Sequence, residues 1–185
     1  MPSDFKTVKL VALPLHSAVT HFYKTVNLAD AFAIQLPAGA SKDPDVLARF
    51  ILSHQPSWVG VLTKVRDLLV AGFGLKTAKH LASLAGGAPA DRAGIFKVYS
   101  VSETEIIVGE DDRHLDFRVS VFCALESAPQ ASRQLVVSTV VQCHNRLGRV
   151  YIFLIAPFHR MVVRASLLHA ARVGWPAAAA SHVKR

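Results

Sequence analysis

Glu110, Asp112, His114, Asp116, His144 and Arg146 are the residues of this chain whose types and spacing come nearest to chemistry. His114–Leu125 alternates, with Leu115, Phe117, Val119 and Val121 on one face and His114, Asp116, Arg118 and Ser120 on the other, which is the period of a strand. Gln134–His144 reads as the next strand, across a turn at Ser127–Ser132. Centring the pair on that turn sets Phe117 opposite Val141, Val119 opposite Thr139 and Val121 opposite Val137. A slip of one residue would exchange the faces, which a half-buried sheet resists. The same register brings His114 opposite His144, with Asp112 and Asp116 on the same face. Imidazoles and carboxylates so placed can hold a divalent metal or act as an acid–base pair. They can equally form a cross-strand ion-pair ladder that ties the sheet edge to the turn at Asn145–Arg149. No CxxC or HExxH run supports a metal, so the ladder is the expected use and neither metal nor cofactor is expected. If the protein is an enzyme, which the sequence leaves open, His114, Asp116, His144 and His159 are its acid–base candidates.

His159 and Arg160 follow Pro157 in the most apolar stretch of the chain. On a helix His159 aligns with Tyr151, Ile155, Val162 and Val163. If that stripe faces the sheet, His159 is either a hydrogen-bonded core histidine or a polar group pointing into a cavity. Pro157 leaves a carbonyl of the preceding turn without its donor, which favours the structural histidine. Tyr99, an aromatic with a polar tip, poses the same choice. In the segment His144-Asn-Arg-Leu-Gly-Arg149, Asn145 suits a cap and Gly148 a positive φ. Arg146 and Arg149 oppose the dipole of a helix starting there. They either pair with Glu110–Asp112, the expected use, or bind an anionic ligand head. Tyr99, Arg146, Arg149, His159 and Arg160 therefore make up the candidate ligand-binding set. Nucleophilic catalysis finds no GxSxG, and adjacent Cys143 and His144 must point to opposite strand faces. No nucleic-acid module or basic–aromatic interleaving is visible, so no nucleic-acid partner is expected.

These side chains need a scaffold. Ala29–Leu36 places Phe32, Ile34 and Leu36 at period two, a strand. Asp43-Pro44 gives a capping acid and a first-turn proline, and Val46, Leu47, Phe50 and Ile51 form the stripe of the helix that follows. Pro56-Ser57 opens a second helix carrying Trp58, Leu62, Val65, Leu68 and Leu69, with stop signals at Gly72 and Gly74. A flexible stretch at Leu84–Ala90 leads to strands at Gly94–Val101 and Glu105–Gly109. Tyr151–Val173 reads as one long helix kinked near Pro157. Residues 1–19 carry no period and 174–185 read as a frayed tail, leaving one domain at 20–173. The expected class is α+β: an antiparallel curved sheet wrapped around a long C-terminal helix, with two helices inserted after the first strand. Such an arrangement suggests a cavity between sheet and helix.

Composition narrows the field. At 185 residues and 51% hydrophobic side chains the chain is too apolar for intrinsic disorder, and two cysteines exclude a disulfide scaffold. In the register above Cys123 falls near Leu135, far from Cys143, so no intramolecular disulfide is expected. The net charge of +8 comes entirely from residues after Glu126, which include eight basic side chains and no carboxylate. The longest apolar run, Tyr151–Phe158, is eight residues, short of a bilayer's ~20, so no transmembrane segment is expected. With no sustained apolar run before His16, a secretory leader is not expected and the compartment reads as cytoplasmic.

The runs Gly94-Ile-Phe-Lys-Val98, Glu105–Arg118, Val136–Val141, His144–Arg149 and Ala156-Pro-Phe-His-Arg160 resemble family 2867 of the bacterial domains of unknown function (DUF2867). The likeness spans most of residues 20–173 and implies no assigned activity. The layout is also similar to the helix-grip (START-like) superfamily, whose members mostly hold apolar ligands and occasionally catalyse on them. The expectation is a domain that binds a small, largely apolar or amphipathic molecule, with room for an anionic head, between sheet and C-terminal helix. Two other readings stay open: an enzyme of cyclase, dehydratase or isomerase type acting on such a ligand, and an interaction module using the basic surface. A homo-oligomer is compatible with all three.

Overall fold

An alternating strand joined to its neighbour through a short turn has one good register, and the computed structural model pairs the two in it. Phe117 lies opposite Val141, Val119 opposite Thr139 and Val121 opposite Val137. The structure describes residues 7–62, 64, 92–123 and 133–178. Seven strands run through them: β1 (Lys9–Val11), β2 (Leu28–Gln35), β3 (Arg92–Ala93), β4 (Phe96–Val101), β5 (Glu105–Asp111), β6 (Leu115–Cys123) and β7 (Gln134–Cys143). They form a single open antiparallel sheet in the order β1-β2-β7-β6-β5-β4-β3. Helices α1 (Pro44–Ser53) and α2 (Arg146–Val173) complete the α+β fold. Both thiols are free, and Cys123 faces Leu135 across the ladder.

The first face of the sheet carries the main core. Phe32, Ile34, Ile106, Val108, Val121, Leu135 and Val137 pack there against Leu47, Ala48 and Ile51 of α1 and Leu167 and Ala170 of α2. Helix α1 starts where its cap dictates: the Asp43 carboxylate accepts from the backbone N–H of Asp45 at 2.8 Å and of Val46 at 3.4 Å. The helical segment opening at Ser57 is described through Leu62. Its expected remainder, the 84–90 stretch and the 127–132 turn lie outside the described residues. These helices follow β2 rather than the first strand, because β1 precedes the strand read from the sequence.

The second face is covered by the segment running from β1 to β2, which carries no sequence period. Leu13, Val19 and Tyr23 pack there on Ile107, Val140 and Tyr99. Buried Glu105 anchors the segment, accepting hydrogen bonds from the Ser17 and Ser120 hydroxyls and from the N–H of Ala18 at 2.8 Å. Beside it buried Arg118 lies 3.5 Å from the Tyr99 ring centre and 4.7 Å from that of Phe22. Residues 8–21 thus belong to the folded unit. The 174–185 stretch is not wholly a frayed tail either: Trp175 packs on the core, and Ser41 and Ala178 bond across to Pro176 and Gly39 at 2.7 and 2.8 Å.

Helix α2 begins at Arg146, not Tyr151. The Asn145 side chain accepts from the N–H of Gly148 at 3.0 Å and so caps it. Gly148 does not adopt the positive φ expected of it. It is needed for close approach, since a Cβ there would meet the His114 carbonyl at 2.2 Å. The helix runs on through Pro157. The carbonyl that Pro157 leaves without its donor belongs to Phe153, a residue 79% exposed on the outer side of the helix. Because apolar residues resume after Arg160, α2 is long and apolar enough by length and composition to cross a membrane, unlike the eight-residue run seen in the sequence. Its C-terminal half is nonetheless committed to the protein, with Ser166, Leu167 and Ala170 buried and contacts to β2, β7 and α1.

Candidate functional site

Strand β2 points residues 30, 32 and 34 into the first face, so its alternation drives Asp30 inward beside Phe32 and Ile34. Asp30 is 6% exposed, and a buried carboxylate needs a cation or a set of hydrogen-bond donors. Helix α2 supplies one cation and one imidazole: Arg160 donates from Nε to Oδ2 at 3.2 Å, and His159 Nε2 lies 3.4 Å from Oδ1. The histidine contact is within ion-pair range but not aligned as a hydrogen bond, so Oδ1 and Nε2 are both buried without a hydrogen-bond partner. Thr139, directly opposite Asp30 on β7 and 3% exposed, has a hydroxyl in the same condition. Three unsatisfied polar atoms so close together are uncommon in a core, where nearly all such groups are paired.

The row continues across the sheet as Val119, Val108 and Val98. Next to it Phe117 stacks edge-on against Phe96 with ring centres 5.5 Å apart. Phe96, Val98, Phe117 and Val119 are only half-buried. The polar trio therefore sits at one end of an incompletely covered apolar strip. Two depressions among the described residues lie elsewhere. One of about 380 Å³ is lined by Val46, Arg49, Phe50 and Pro176, and one of about 40 Å³ lies at the β1–β2–β7 edge. Neither is the hollow under α2 that a closed container requires.

The residues singled out by sequence fall into three places. His114, Asp116 and His144 gather at the end of β6 and β7. His144 Nε2 pairs with Asp116 Oδ2 at 3.0 Å, and Asp116 Oδ1 accepts from the N–H of Asp112 at 3.1 Å. Buried His114 is 2.9 Å from the Asn145 amide nitrogen through Nδ1. Since Asn145 Oδ1 is the cap acceptor, its amide donates and His114 Nδ1 accepts, leaving the His114 proton on Nε2. His159 and Arg160 stand apart from this cluster, on Asp30. Tyr99 lies on the opposite face of the sheet from α2, so it shares no site with them.

The expected pairing of Arg146 and Arg149 with Glu110–Asp112 does not form. Glu110 pairs with Arg92 at 3.2 Å and Asp111 with Arg118 at 2.6 Å, and among the described residues neither Arg146 nor Arg149 meets a carboxylate. Arg92 and Arg118, which sit on the sheet beside these acids, hold them instead. Sequence reasoning missed Asp30 and Thr139. The available signal was a charged residue at an inward position of an alternating strand.

The Asp111 carboxyl shows how the second-face cluster is balanced. Burial alone would raise its pKa, but the Tyr99 hydroxyl at 2.7 Å and the Arg118 guanidinium outweigh that and hold it below the ordinary carboxylate range. Burial and the bond to Asp111 push the Tyr99 hydroxyl upward. With its folded value below the unfolded one, Asp111 contributes stability that is complete above about pH 4 and is lost as the pH falls through the folded value. In thermal melts the gap between the parent chain and Asp111→Asn is expected to be widest near neutrality and to close in acid. It should stay small, because that side chain is 54% exposed. Parallel profiles would show Asp111 to be unlinked to folding.

Comparison with family models matches residues 22–166 to a protein of unknown function, DUF2867. No curated protein and no solved structure matches the chain.

Proposed function

The chain belongs to the DUF2867 family, and within it we propose that this domain binds a small, largely apolar molecule with a hydroxyl or carboxyl head between the first face of the sheet and α2. The supporting observation is the trio of buried, unsatisfied polar atoms on Asp30, Thr139 and His159 at the end of a half-covered apolar strip. A hydroxyl there can donate to Asp30 Oδ1 and accept from His159. A carboxyl head can in addition reach Arg160, which is half exposed at the rim. Phe96, Phe117 and Val119 would take the apolar body, in the usual division between an apolar lining and a few orienting polar groups. The occupant lies along the strip rather than in a closed chamber. In this reading the helix-grip likeness refers to how sheet and helix share the ligand.

Titration with a dansyl-labelled fatty acid tests it. The expected result is a saturable emission increase, reversed by unlabelled fatty acid and weakened about tenfold or more by His159→Leu, whose far-ultraviolet circular dichroism should match the parent. A linear, non-saturating response, or equal affinity in the variant, would overturn the assignment.

A further inference from the structure

The N-terminal two-thirds of α2 turns two adjacent rows of side chains to solvent. One is apolar: Val150, Leu154, Phe158 and Met161, with Phe153 alongside, are all exposed, Phe153 at 79% and Leu154 at 60%. The other is basic: Arg146, Arg149, Arg160 and Arg164 follow the i, i+3, i+4 spacing of one helix edge. Arg146, Arg149 and Arg164 meet no carboxylate among the described residues, and Arg160 is shared with Asp30. An exposed apolar patch of this extent beside unneutralised charge marks an interaction surface.

The charge selects the occupant. Two copies meeting through this face in antiparallel fashion would set Arg146 and Arg149 of one against Arg160 and Arg164 of the other. Residues 127–185 hold no acid to offset them. The chain's own residues 65–91 are no better matched, with three basic side chains to two acidic ones. A nucleic acid would neutralise the arginines but offers nothing to cover Phe153, Leu154 and Met161. An anionic bilayer takes both rows at once, arginines at the headgroups and apolar side chains at the acyl boundary. We propose that the outer face of α2 docks this domain flat onto an anionic lipid surface. The inference goes beyond the ligand reading and stands without it, since Arg160 is the one residue common to both and every other residue it uses lies on the outer side of the helix. The helix lies on the membrane rather than across it, because Leu167 and Ala170 are buried in the protein core.

Co-sedimentation of the full chain with vesicles tests the proposal. The expected result is binding to an equal mixture of phosphatidylcholine and phosphatidylglycerol, absence of binding to phosphatidylcholine alone, and release by high salt. Arg146→Ala and Arg149→Ala should each lower the partition coefficient about fivefold, and Phe153→Ser about tenfold or more. Leu15→Ser, at an exposed leucine outside this face, should leave it unchanged. All these side chains are exposed, so circular dichroism and melting should match the parent, and Leu154→Ser provides a second probe should Phe153→Ser misfold. Failure to bind the anionic vesicles at low salt, binding indifferent to these variants, retention in high salt as an inserted span would show, or a dimer that Phe153→Ser dissolves would each overturn it.

Discussion

Replacing Glu105 by leucine is expected to destabilise the protein by about 3–5 kcal/mol, the largest effect of any single substitution on the second face of the sheet. Glu105 is buried and its carboxylate satisfies two hydroxyls and one backbone N–H, from Ser17, Ser120 and Ala18. Leucine accepts none of them. It leaves three donors in a dry site, and an unmade buried hydrogen bond costs more than a made one contributes. Glu105→Gln should lie between parent and leucine, because its amide keeps one acceptor but turns a donor toward donors. The loss is specific to the network, so adding Ser17→Ala and Ser120→Ala to Glu105→Leu should recover part of it. Urea unfolding at neutral pH measures all three. A Glu105→Leu variant within 1 kcal/mol of the parent would mean that water reaches these donors.

That network also shows where the sequence stopped being legible. Strands β6 and β7 could be paired to the residue because β6 alternates cleanly and the turn at Ser127–Ser132 centres the pair, and an error of one position would bury Arg118 and Ser120 against α1. Helix α1 was readable from its Asp43-Pro44 start and the apolar stripe of Val46, Leu47, Phe50 and Ile51. The segment that covers the second face has neither signal. Its useful residues, Leu13, Ser17, Val19 and Tyr23, follow no period, and Ser17 finds its partner 88 positions away. Nothing local announces such a pairing. The fate of Arg146 and Arg149 was hidden for a related reason. Composition shows that acids lie near the 144–149 turn but not which cation reaches them, and Arg92 and Arg118 sit on the sheet itself with those acids in reach. The long helix is legible as an apolar run from Tyr151, and its start at Arg146 is the polar first turn that the Asn145 cap sets ahead of that run. At the candidate site, His159 and Arg160 were legible as polar residues in an apolar helix. Their partner was not, because one aspartate in a strand can as easily mark an edge as a buried pair.

Asp30 and Thr139 give the sharper test of whether that site exists for binding, since stability and binding are expected to move in opposite directions. Thr139→Val keeps the shape of a side chain 3% exposed and removes a hydroxyl with no partner, so it should stabilise the fold by about 1 kcal/mol. Asp30→Leu removes a buried charge whose two neighbours can turn outward, Arg160 being half exposed and His159 partly so. Removing one partner of a buried pair usually destabilises and replacing the whole pair with apolar volume is often neutral or stabilising; because Arg160 is already half exposed, the change here approaches the second case, with an expected shift between zero and about +2 kcal/mol. A residue kept only for the fold would not behave this way. If the trio serves a ligand head, both variants should hold the dansyl-labelled fatty acid more weakly than the parent, Asp30→Leu by about tenfold or more, while melting at the same temperature or higher. The opposite pattern, with stability lost and affinity kept, would assign Asp30 to the architecture: an anchor that pins α2 across β2 and β7, with the ligand head bound elsewhere or not at all.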